Sequence, residues 1–296
     1  METVELPWEQ IALPTSLQLN AVYFSDAQTG YLVGGDQWEA GIQLQTEDAG
    51  QSWQLDSISF ASLRAFDLTP DGSAFALGLG DRLRRRLPNT REWTEIVALP
   101  TAINNDIVVS RQQYFVISGA AFQDGRIHRL DSNFQTITLD SFENELSAIA
   151  FPSPSTPVVV GYGIALRSID GGQNWIPIDV SGDFYQDVYF PTPDVGYIVG
   201  LRGSILKTID GGLSWKSLRN GDRLSTSAEP FRAVYFSSST LGYIVGDDGL
   251  CWQTVDGGDE WRTVKGLPSV DFLSVSGVEG TVYISGAEGT LLRFEN

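Results

Sequence analysis

The fold of this chain is decided by Gly242-Tyr243-Ile244-Val245-Gly246 and by Thr254-Val255-Asp256-Gly257-Gly258-Asp259-Glu260-Trp261, which follows it. Both stretches return elsewhere in the chain. The first returns as Gly196-Tyr197-Ile198-Val199-Gly200 and, with Leu in place of Ile, as residues 30–34. The second returns as residues 208–215, 168–175 and 46–53, each with an Asp, a turn glycine and a final Trp. Repetition of this kind is the signature of a fold built from similar units.

The spacing of the tryptophans gives the length and the number of the units. Trp8, Trp53, Trp93, Trp175, Trp215 and Trp261 are separated by 45, 40, 82, 40 and 46 residues, so the interval of 82 holds two units. Weaker copies of the second stretch end at Trp93, where Pro88 replaces the Asp, and at Phe134. We therefore predict units that end near Trp53, Trp93, Phe134, Trp175, Trp215 and Trp261, and a last unit, residues 262–296, completed by residues 5–13.

Each unit contains four short runs that are typical of β-strands. The first run alternates, as in residues 231–236, and the second is the Gly-Tyr-Ile-Val-Gly run. The third is represented by residues 204–208, and the fourth starts at the Trp. Four strands every 40 to 46 residues is the period of propeller blades. We predict an all-β, seven-bladed β-propeller with four-stranded antiparallel blades, formed by residues 1–296 as a single domain, whose ring is closed by the N-terminal strand at Trp8.

The repeated Asp and Trp are expected to have structural roles. The Asp carboxylate can accept hydrogen bonds from N–H groups of the turn between the third and fourth strands, and glycine allows the positive φ that such a turn needs. The Trp that follows can bury its ring between neighbouring blades. The residues to which we assign these roles are Asp48, Trp53, Asp170, Trp175, Asp210, Trp215, Asp256 and Trp261.

Composition excludes several classes of function. The formal net charge of −18 disfavours binding to nucleic acid or to an anionic membrane surface, and no apolar stretch is long enough to insert into a membrane. The chain has one histidine, His128, and one cysteine, Cys251, which removes the usual zinc sites and His-based triads. We predict no metal, no cofactor and no catalytic residue, and we expect both His128 and Cys251 to be structural.

The repeated stretches match the pattern called the Asp box, or neuraminidase-type repeat, of sialidases and sortilin-like receptors. Together with the Gly-Tyr-Ile-Val-Gly strand, the chain more closely resembles the photosystem II stability/assembly factor family over its whole length. The resemblance implies a monomeric, non-catalytic scaffold in photosynthesis that docks on a newly made membrane-protein subunit through one propeller face. It also implies an extracytoplasmic location, in the periplasm or the thylakoid lumen, after removal of a targeting segment. The sequence itself leaves a cytoplasmic location open.

Photosynthetic members of that family resemble one another in carrying an arginine-rich patch on one face. The resemblance therefore implies that polar residues near the channel are candidates for partner binding. Equivalent positions of the seven first strands hold Asn20, Arg64, Asn105, Ser147, Gln186, Arg232 and Leu273. Arg64 and Arg232 are expected either to bind a carboxylate of the partner or to pair with Asp67 and Asp187 inside the channel. We include Asn20, Asn105, Gln186 and Asp187 among the candidates.

A basic cluster, Arg82 with Arg84, Arg85 and Arg86, lies on the third strand of the second unit. Alternation places Arg82, Arg84 and Arg86 on one face of that strand. They could dock an acidic tail, or they could form a solvated outer strand whose charges discourage edge pairing. Both interpretations stay open at this stage.

The alternative function is a carbohydrate-active Asp-box propeller, either a sialidase-like glycosidase or a glycan-binding module. Pro230-Phe231-Arg232-Ala233 is similar in part to the Phe-Arg-Ile-Pro motif of sialidases, but no ordered set of a third arginine, Tyr and Glu accompanies it. Asp247 and Asp248 are paired carboxylates, yet adjacent residues on a strand or turn point apart. The sequence therefore favours a scaffold over a glycosidase.

Overall fold

The computed structural model describes residues 2–110, 112–180, 182–221 and 228–295. These residues form seven antiparallel β-sheets arranged as the blades of a propeller, as predicted. Strands β1 (Thr3–Val4) and β2 (Trp8–Gln10) precede the first complete blade.

The first four blades follow in chain order. Blade 1 contains β3 (Gln18–Phe24), β4 (Gly30–Asp36), β5 (Ala40–Thr46) and β6 (Gln54–Ser59). Blade 2 contains β7 (Leu63–Leu68), β8 (Ala74–Gly78), β9 (Arg82–Arg86) and β10 (Trp93–Ala98). Blade 3 contains β11 (Asn104–Ser110), β12 (Gln113–Ala120), β13 (Gln123–Leu130) and β14 (Thr136–Asn144). Blade 4 contains β15 (Leu146–Ala150), β16 (Val158–Gly161), β17 (Ile164–Arg167) and β18 (Ile176–Pro177).

Three further blades complete the ring. Blade 5 contains β19 (Tyr185–Tyr189), β20 (Gly196–Gly200), β21 (Ile205–Thr208) and β22 (Lys216–Arg219). Blade 6 contains β23 (Phe231–Phe236), β24 (Gly242–Gly246), β25 (Cys251–Thr254) and β26 (Arg262–Val264). Blade 7 contains β27 (Phe272–Val278), β28 (Thr281–Gly286) and β29 (Leu291–Glu295), with β2 as its fourth strand. Two three-residue 3₁₀ turns, Asp247–Gly249 and Ala287–Gly289, follow β24 and β28.

The ring closes through the N-terminal strand. Each blade's first strand contacts the first strands of both neighbours, and β27 of the last blade contacts β3 of the first. On the outside of blade 7, β2 pairs antiparallel with β29, with Trp8 opposite Phe294 and Gln10 opposite Leu292. The two ends of the chain therefore share one sheet, as predicted.

The structure adds one strand that sequence analysis missed. The short β1 pairs parallel with β26, with Thr3 opposite Thr263 and Val4 opposite Val264, so that blade 6 has five strands. Two residues give too short a run for an alternation pattern to be recognised. The N-terminal segment thus connects blade 6 to blade 7 along the outside of the propeller.

The Gly-Tyr-Ile-Val-Gly strand fits its place because both glycines are needed for close approach. A Cβ added at Gly242 would lie 2.5 Å from a ring carbon of Phe236 on the preceding strand. A Cβ added at Gly246 would clash with the Pro230 carbonyl oxygen. Between the glycines, Tyr243, Ile244 and Val245 are completely buried. The repeated run is therefore the second strand of a blade, which is covered on both of its faces.

Each end of the propeller carries a defined set of loops. The loops between second and third strands, such as residues 37–39, and the loops that enter first strands, such as residues 60–62, form what we call the top face. The Ser62 N–H donates to the Gln37 carbonyl, which joins the two loop types. The Asp boxes and the hairpins between first and second strands form the opposite, bottom face. Among the described residues, no helix has the length and apolar character needed to cross a membrane.

Candidate functional site

The Asp boxes tie their own turns together on the bottom face. In blade 5, the Asp210 carboxylate accepts hydrogen bonds from the hydroxyl of Thr208 (2.7 Å) and from the hydroxyl (2.6 Å) and N–H (2.9 Å) of Ser214. The Gly212 N–H in turn donates to the Thr208 hydroxyl. These bonds to the charged form, that from the Ser214 hydroxyl first, lower the pKa of Asp210 to about 2. Similar patterns surround Asp48, Asp170 and Asp256.

The tryptophans of the boxes pack where two blades meet. The Trp215 ring lies edge-on to Phe190, with centroids 5.8 Å apart, and joins a core that includes Val158 of blade 4 and Leu206 of blade 5. Equivalent positions in the other inter-blade cores are taken by Trp53, Trp175 and Trp261. Box and tryptophan together thus hold neighbouring blades in contact.

A second inter-blade connection comes from basic residues that sequence analysis did not single out. Arg167 Nε donates to the Gly211 carbonyl (3.1 Å), and Lys207 Nζ donates to the Gly257 carbonyl (2.6 Å). Each donor stands immediately before the Ser or Thr that opens its own box, and each acceptor lies in the box of the next blade. The sequence does show a basic residue repeated at one box position. Its inter-blade role is visible only when the structure places the next blade beside it.

Three aspartates connect the inner strands around the channel. The carboxylates of Asp67, Asp106 and Asp187 accept the backbone N–H groups of Val109, Ile149 and Val234, each on the following blade, at 2.6, 2.9 and 2.9 Å. Burial raises the pKa of Asp67 and of Asp187 to about 6 and that of Asp106 to about 8. The Asp187 carboxylate is therefore enclosed between blades 5 and 6, and the structure does not support its predicted role in partner binding.

The polar residues at the top of the channel also connect neighbouring blades. Asn20 Nδ2 donates to the Leu63 carbonyl (2.6 Å), and Asn105 Nδ2 donates to the Leu146 carbonyl (2.7 Å). Arg64 Nη1 donates to Asn105 Oδ1 (2.5 Å), so these bonds run from blade 1 to blade 4. Burial lowers the pKa of Arg64, and the nearby Glu145 carboxylate acts in the opposite direction.

Of the two alternatives for the channel arginines, pairing with Asp67 and Asp187 is not what the structure shows. Arg232 instead binds Asp247 with two parallel bonds, Nε to Oδ1 at 2.7 Å and Nη2 to Oδ2 at 3.0 Å. Arg232 Nη1 also donates to Gln186 Oε1 at 3.3 Å. The two aspartates accept backbone N–H groups because they point sideways between blades, whereas the arginines lie nearer to the top loops.

The strand β9, which carries the arginine cluster, is not a solvated edge strand, because β10 pairs with its outer edge. Arg82 is half-exposed beside Asp81 and Glu95, and Arg84 is buried and pairs with Glu95 at 3.0 Å. Arg86 is buried near the bottom face, where it lies over the Tyr31 ring at 5.2 Å. Arg84 and Arg86 are therefore enclosed by blades 1 and 2. The structure brings neither of them together with Arg64 or Arg232.

An open cavity on the top face collects two of the predicted residues. It has a volume of about 590 Å³ and is lined by Asn20 and Arg64 at the channel mouth, by Asp36 and Trp38 from the blade 1 loop, and by Leu79. Trp38 is 55% exposed, although it is a large apolar side chain. Trp38 was not predicted because it lies in a loop outside the repeated motif.

The other titratable residues considered for chemistry are either buried or bonded to different partners. His128 is buried and its Nε2 lies 2.8 Å from the Thr136 hydroxyl; burial lowers its pKa. Cys251 is fully buried, and burial raises the pKa of its thiol. Asp248 donates its N–H to Asp271, whereas its neighbour Asp247 is occupied by Arg232. In the part of the chain that the structure describes, no three His, Cys, Asp or Glu side chains are grouped to hold a metal.

Comparisons with known proteins agree with this architecture. Residues 176–271 match the family model described as photosynthesis system II assembly factor YCF48. No curated protein matches the chain. The predicted resemblance to the photosystem II assembly factor type of propeller is thereby confirmed, with the family model covering blade 5 and most of blade 6.

Solved structures match over nearly the whole length. YCF48 from Cyanidioschyzon merolae is 15% identical with a TM-score of 0.75, and covers 97% of this chain and 98% of its own. YCF48 bound to D1 peptide is 20% identical with a TM-score of 0.74, and covers 100% of this chain and 99% of its own. Virginiamycin B lyase from Staphylococcus aureus is 10% identical with a TM-score of 0.79, and covers 99% of this chain and 100% of its own. At these identities the structural matches establish the propeller fold alone.

Proposed function

We propose that this propeller is a non-catalytic scaffold of the photosystem II assembly-factor type that docks on a partner protein through its top face. The observation that carries the proposal is the open cavity of about 590 Å³ at the channel mouth, which is lined by both Arg64 and the exposed Trp38. Concave sites with a few convergent polar groups are where proteins most often bind ligands.

The chemistry of this cavity suits a peptide that carries a carboxylate. Arg64 is partly desolvated, its Nη1 is held by Asn105, and the residue lines the cavity as a planar cation. A carboxylate can accept paired hydrogen bonds from such a group, and Trp38 can cover an apolar side chain beside it. Arg and Trp are the residue types most often dominant at protein interfaces.

The comparisons support a particular class of partner. The family model names a photosystem II assembly factor, and one matching structure is YCF48 bound to D1 peptide. We propose a photosystem II subunit, with D1 as the first to test, met on the extracytoplasmic side of the membrane by a monomeric, single-domain chain. The engagement of Asp247 by Arg232 supports a scaffold over a glycosidase, because it removes a carboxylate from the pair that hydrolysis would need.

The test is binding of the D1 peptide to the full chain by calorimetry. Trp38→Ser and Arg64→Gln should each weaken binding by about tenfold, since each removes a central contact. The matched control is Ile209→Ser on the bottom face, where Ile209 is 73% exposed; it should leave binding unchanged. Binding that all three variants retain, or no binding of the peptide to the unmodified chain, would contradict the proposal.

A further inference from the structure

Three aromatic side chains from three consecutive blades form a surface on the top face, separate from the cavity at Arg64. Phe122 from the β12–β13 turn lies 4.9 Å from Tyr162 of blade 4 and 5.5 Å from Phe184 of blade 5, measured between ring centroids. Tyr162 and Phe184 are 5.6 Å apart and nearly perpendicular. We call these three residues the aromatic plate. Phe122 is 56% exposed and Tyr162 is 37% exposed, so the plate is open to solvent.

The backbone beneath the plate shows that folding alone does not favour a phenylalanine there. Ala120 pairs with Gln123, which leaves Ala121 and Phe122 as a two-residue hairpin turn. Both have positive φ, 52° and 70°, a conformation that hairpins usually give to Asn and Gly. A bulky side chain with positive φ is strained, and strain of this kind concentrates at functional sites. The Phe122 ring therefore stands at the tip of a turn whose backbone conformation favours Asn or Gly.

The charges around the plate are mostly negative. The four segments that build it, residues 120–126, 142–146, 161–165 and 182–186, contain four acids and a single base, Arg126. Asp183 is buried and accepts three backbone N–H groups, and Glu145 lies near Arg64. The exposed acids are therefore Asp124 and Glu143. The Glu145 carboxylate is held under the turn by the Phe122 N–H at 2.7 Å. With the whole chain at a formal charge of −18, a second copy of this chain or an anionic lipid surface would be repelled here.

We propose that the aromatic plate is a docking site for a positively charged protein segment with an apolar anchor, such as a Leu or Phe flanked by Lys or Arg. The anchor packs on the three rings, and the flanking cations meet the acidic rim and the ring faces. This ligand differs in charge from the carboxylate-bearing peptide assigned to the Arg64 cavity. The inference does not depend on that assignment.

The test uses three synthetic peptides of equal length and calorimetry with the full chain. The first has Lys residues around a central Leu, the second has Glu in place of every Lys, and the third has Ser in place of the Leu. We expect the first peptide to bind at least about tenfold more tightly than the other two. Its affinity should fall when the salt concentration rises from about 0.05 M to about 0.3 M. Equal binding of the Glu peptide, or of the peptide without the Leu, would overturn the proposal.

Two variants locate the site and keep the test independent of folding. Phe122→Asn keeps a residue type that tolerates positive φ, and Tyr162→Ser removes a half-exposed ring; each should weaken binding of the Lys-Leu peptide by about tenfold. The melting temperature of Phe122→Asn should stay within about 3 °C of the unmodified chain, because relief of strain offsets the lost ring contacts. Trp38→Ser should leave this binding unchanged, which separates the plate from the Arg64 cavity.

Other occupants of the plate would give different results. If the plate joins two copies of this chain, sedimentation will show a dimer that Phe122→Asn dissociates. If it binds a membrane, the chain will bind vesicles of anionic lipid more tightly than it binds the Lys-Leu peptide. Either result, or full binding of the Lys-Leu peptide by Phe122→Asn, would overturn the proposal.

Discussion

Asp106 illustrates how a single residue connects inner strands of this ring, although burial of its ionisable carboxylate is unfavourable. Its carboxylate accepts the N–H of Ile149 on the next blade, and burial raises its pKa to about 8. In the unfolded chain the same group titrates near about pH 4. Between these values the folded state binds more protons than the unfolded state, so the free energy of unfolding falls as the pH rises. Asp67 and Asp187, with pKa values of about 6, contribute in the same direction.

Asp106→Asn should therefore stabilise the protein at alkaline pH. The amide oxygen of Asn can still accept the Ile149 N–H, whereas the bond from the Ile107 N–H to the other oxygen is lost. At alkaline pH this loss is outweighed because the side chain carries no charge that burial would penalise. We expect the free energy of unfolding at pH 8 to rise by at least about 1 kcal/mol, with a smaller gain at pH 5. Urea unfolding at both pH values measures this. A gain that is equal at the two pH values would show that ionisation of Asp106 is not the cause.

Asp-box residues have the opposite pH dependence. The pKa values of Asp48 and Asp210 are lowered to about 2 by hydrogen bonds to the charged form, chiefly from Ser52 and Ser214. A lowered pKa contributes stability above the unfolded value and loses it as the pH falls. The combined contribution of the two sets of aspartates to stability therefore rises with pH up to about pH 4 and falls above it.

Sequence could predict the box residues but not their inter-blade partners. The Asp–Ser and Asp–Thr contacts of a box span two to four positions, so they are visible as a local motif. The Lys207 contact with the Gly257 carbonyl spans 50 positions and ends on a backbone atom, which no residue type signals. The aromatic plate was missed for a related reason, because Phe122, Tyr162 and Phe184 lie in loops that do not follow the repeat.

At the scale of one strand, the first glycine of the Gly-Tyr-Ile-Val-Gly run is required by the phenylalanine beside it. A Cβ at Gly242 would overlap the Phe236 ring, which stacks on Tyr197 of the previous blade with centroids 4.0 Å apart. The ring cannot move away without losing that stack. The Gly-Tyr-Ile-Val-Gly motif therefore reflects packing between neighbouring blades as well as the formation of a strand.

Gly242→Ala should lower the free energy of unfolding by about 1–3 kcal/mol, the usual effect of overpacking a core. Phe236→Leu in the same chain should recover part of the loss, because the smaller side chain makes room for the new methyl group. A double-mutant cycle in guanidinium chloride measures the coupling. If the effects of the two substitutions simply add, the Phe236 ring is not the reason that position 242 requires glycine.

The four-strand pattern was predictable wherever the box was intact, and less so in blade 2. There Pro88 replaces the box Asp, and the Arg82–Arg86 run looked compatible with a solvated outer strand. The structure shows β9 paired with both β8 and β10, and Nη1 of the buried Arg86 donates to Gln45 Oε1 of blade 1 at 2.6 Å. The sequence of β9 favours an exposed strand because the partners that bury Arg85 and Arg86, the rings of Phe134 and Tyr31 and the Gln45 amide, lie on neighbouring blades.

For the whole molecule, closure of the ring followed from sequence because the seventh unit lacks a fourth strand and the N-terminus supplies one. Beyond β2, which pairs with β29, the Ile11 N–H donates to the Leu291 carbonyl at 2.9 Å. Glu9 also pairs with Arg293 at 2.6 Å. The strand β1 performs a different task on blade 6, and its loss leaves these contacts in place.

Two truncations separate closure from simple strand addition. Removal of residues 2–11 should lower the free energy of unfolding by about 3 kcal/mol or more, because it exposes the edge of β29 and the apolar surface that Trp8 covers. Removal of residues 2–6 deletes β1 and leaves β2 in place. It should cost less, about 2 kcal/mol, since two backbone hydrogen bonds and the partly buried side chains of Val4 and Leu6 are lost. Guanidinium chloride unfolding followed by tryptophan fluorescence measures both. Equal effects of the two truncations would mean that β2 does not hold the ring closed. If a synthetic peptide of residues 2–13 restores the free energy of unfolding of the variant that lacks residues 2–11, β2 does hold it closed.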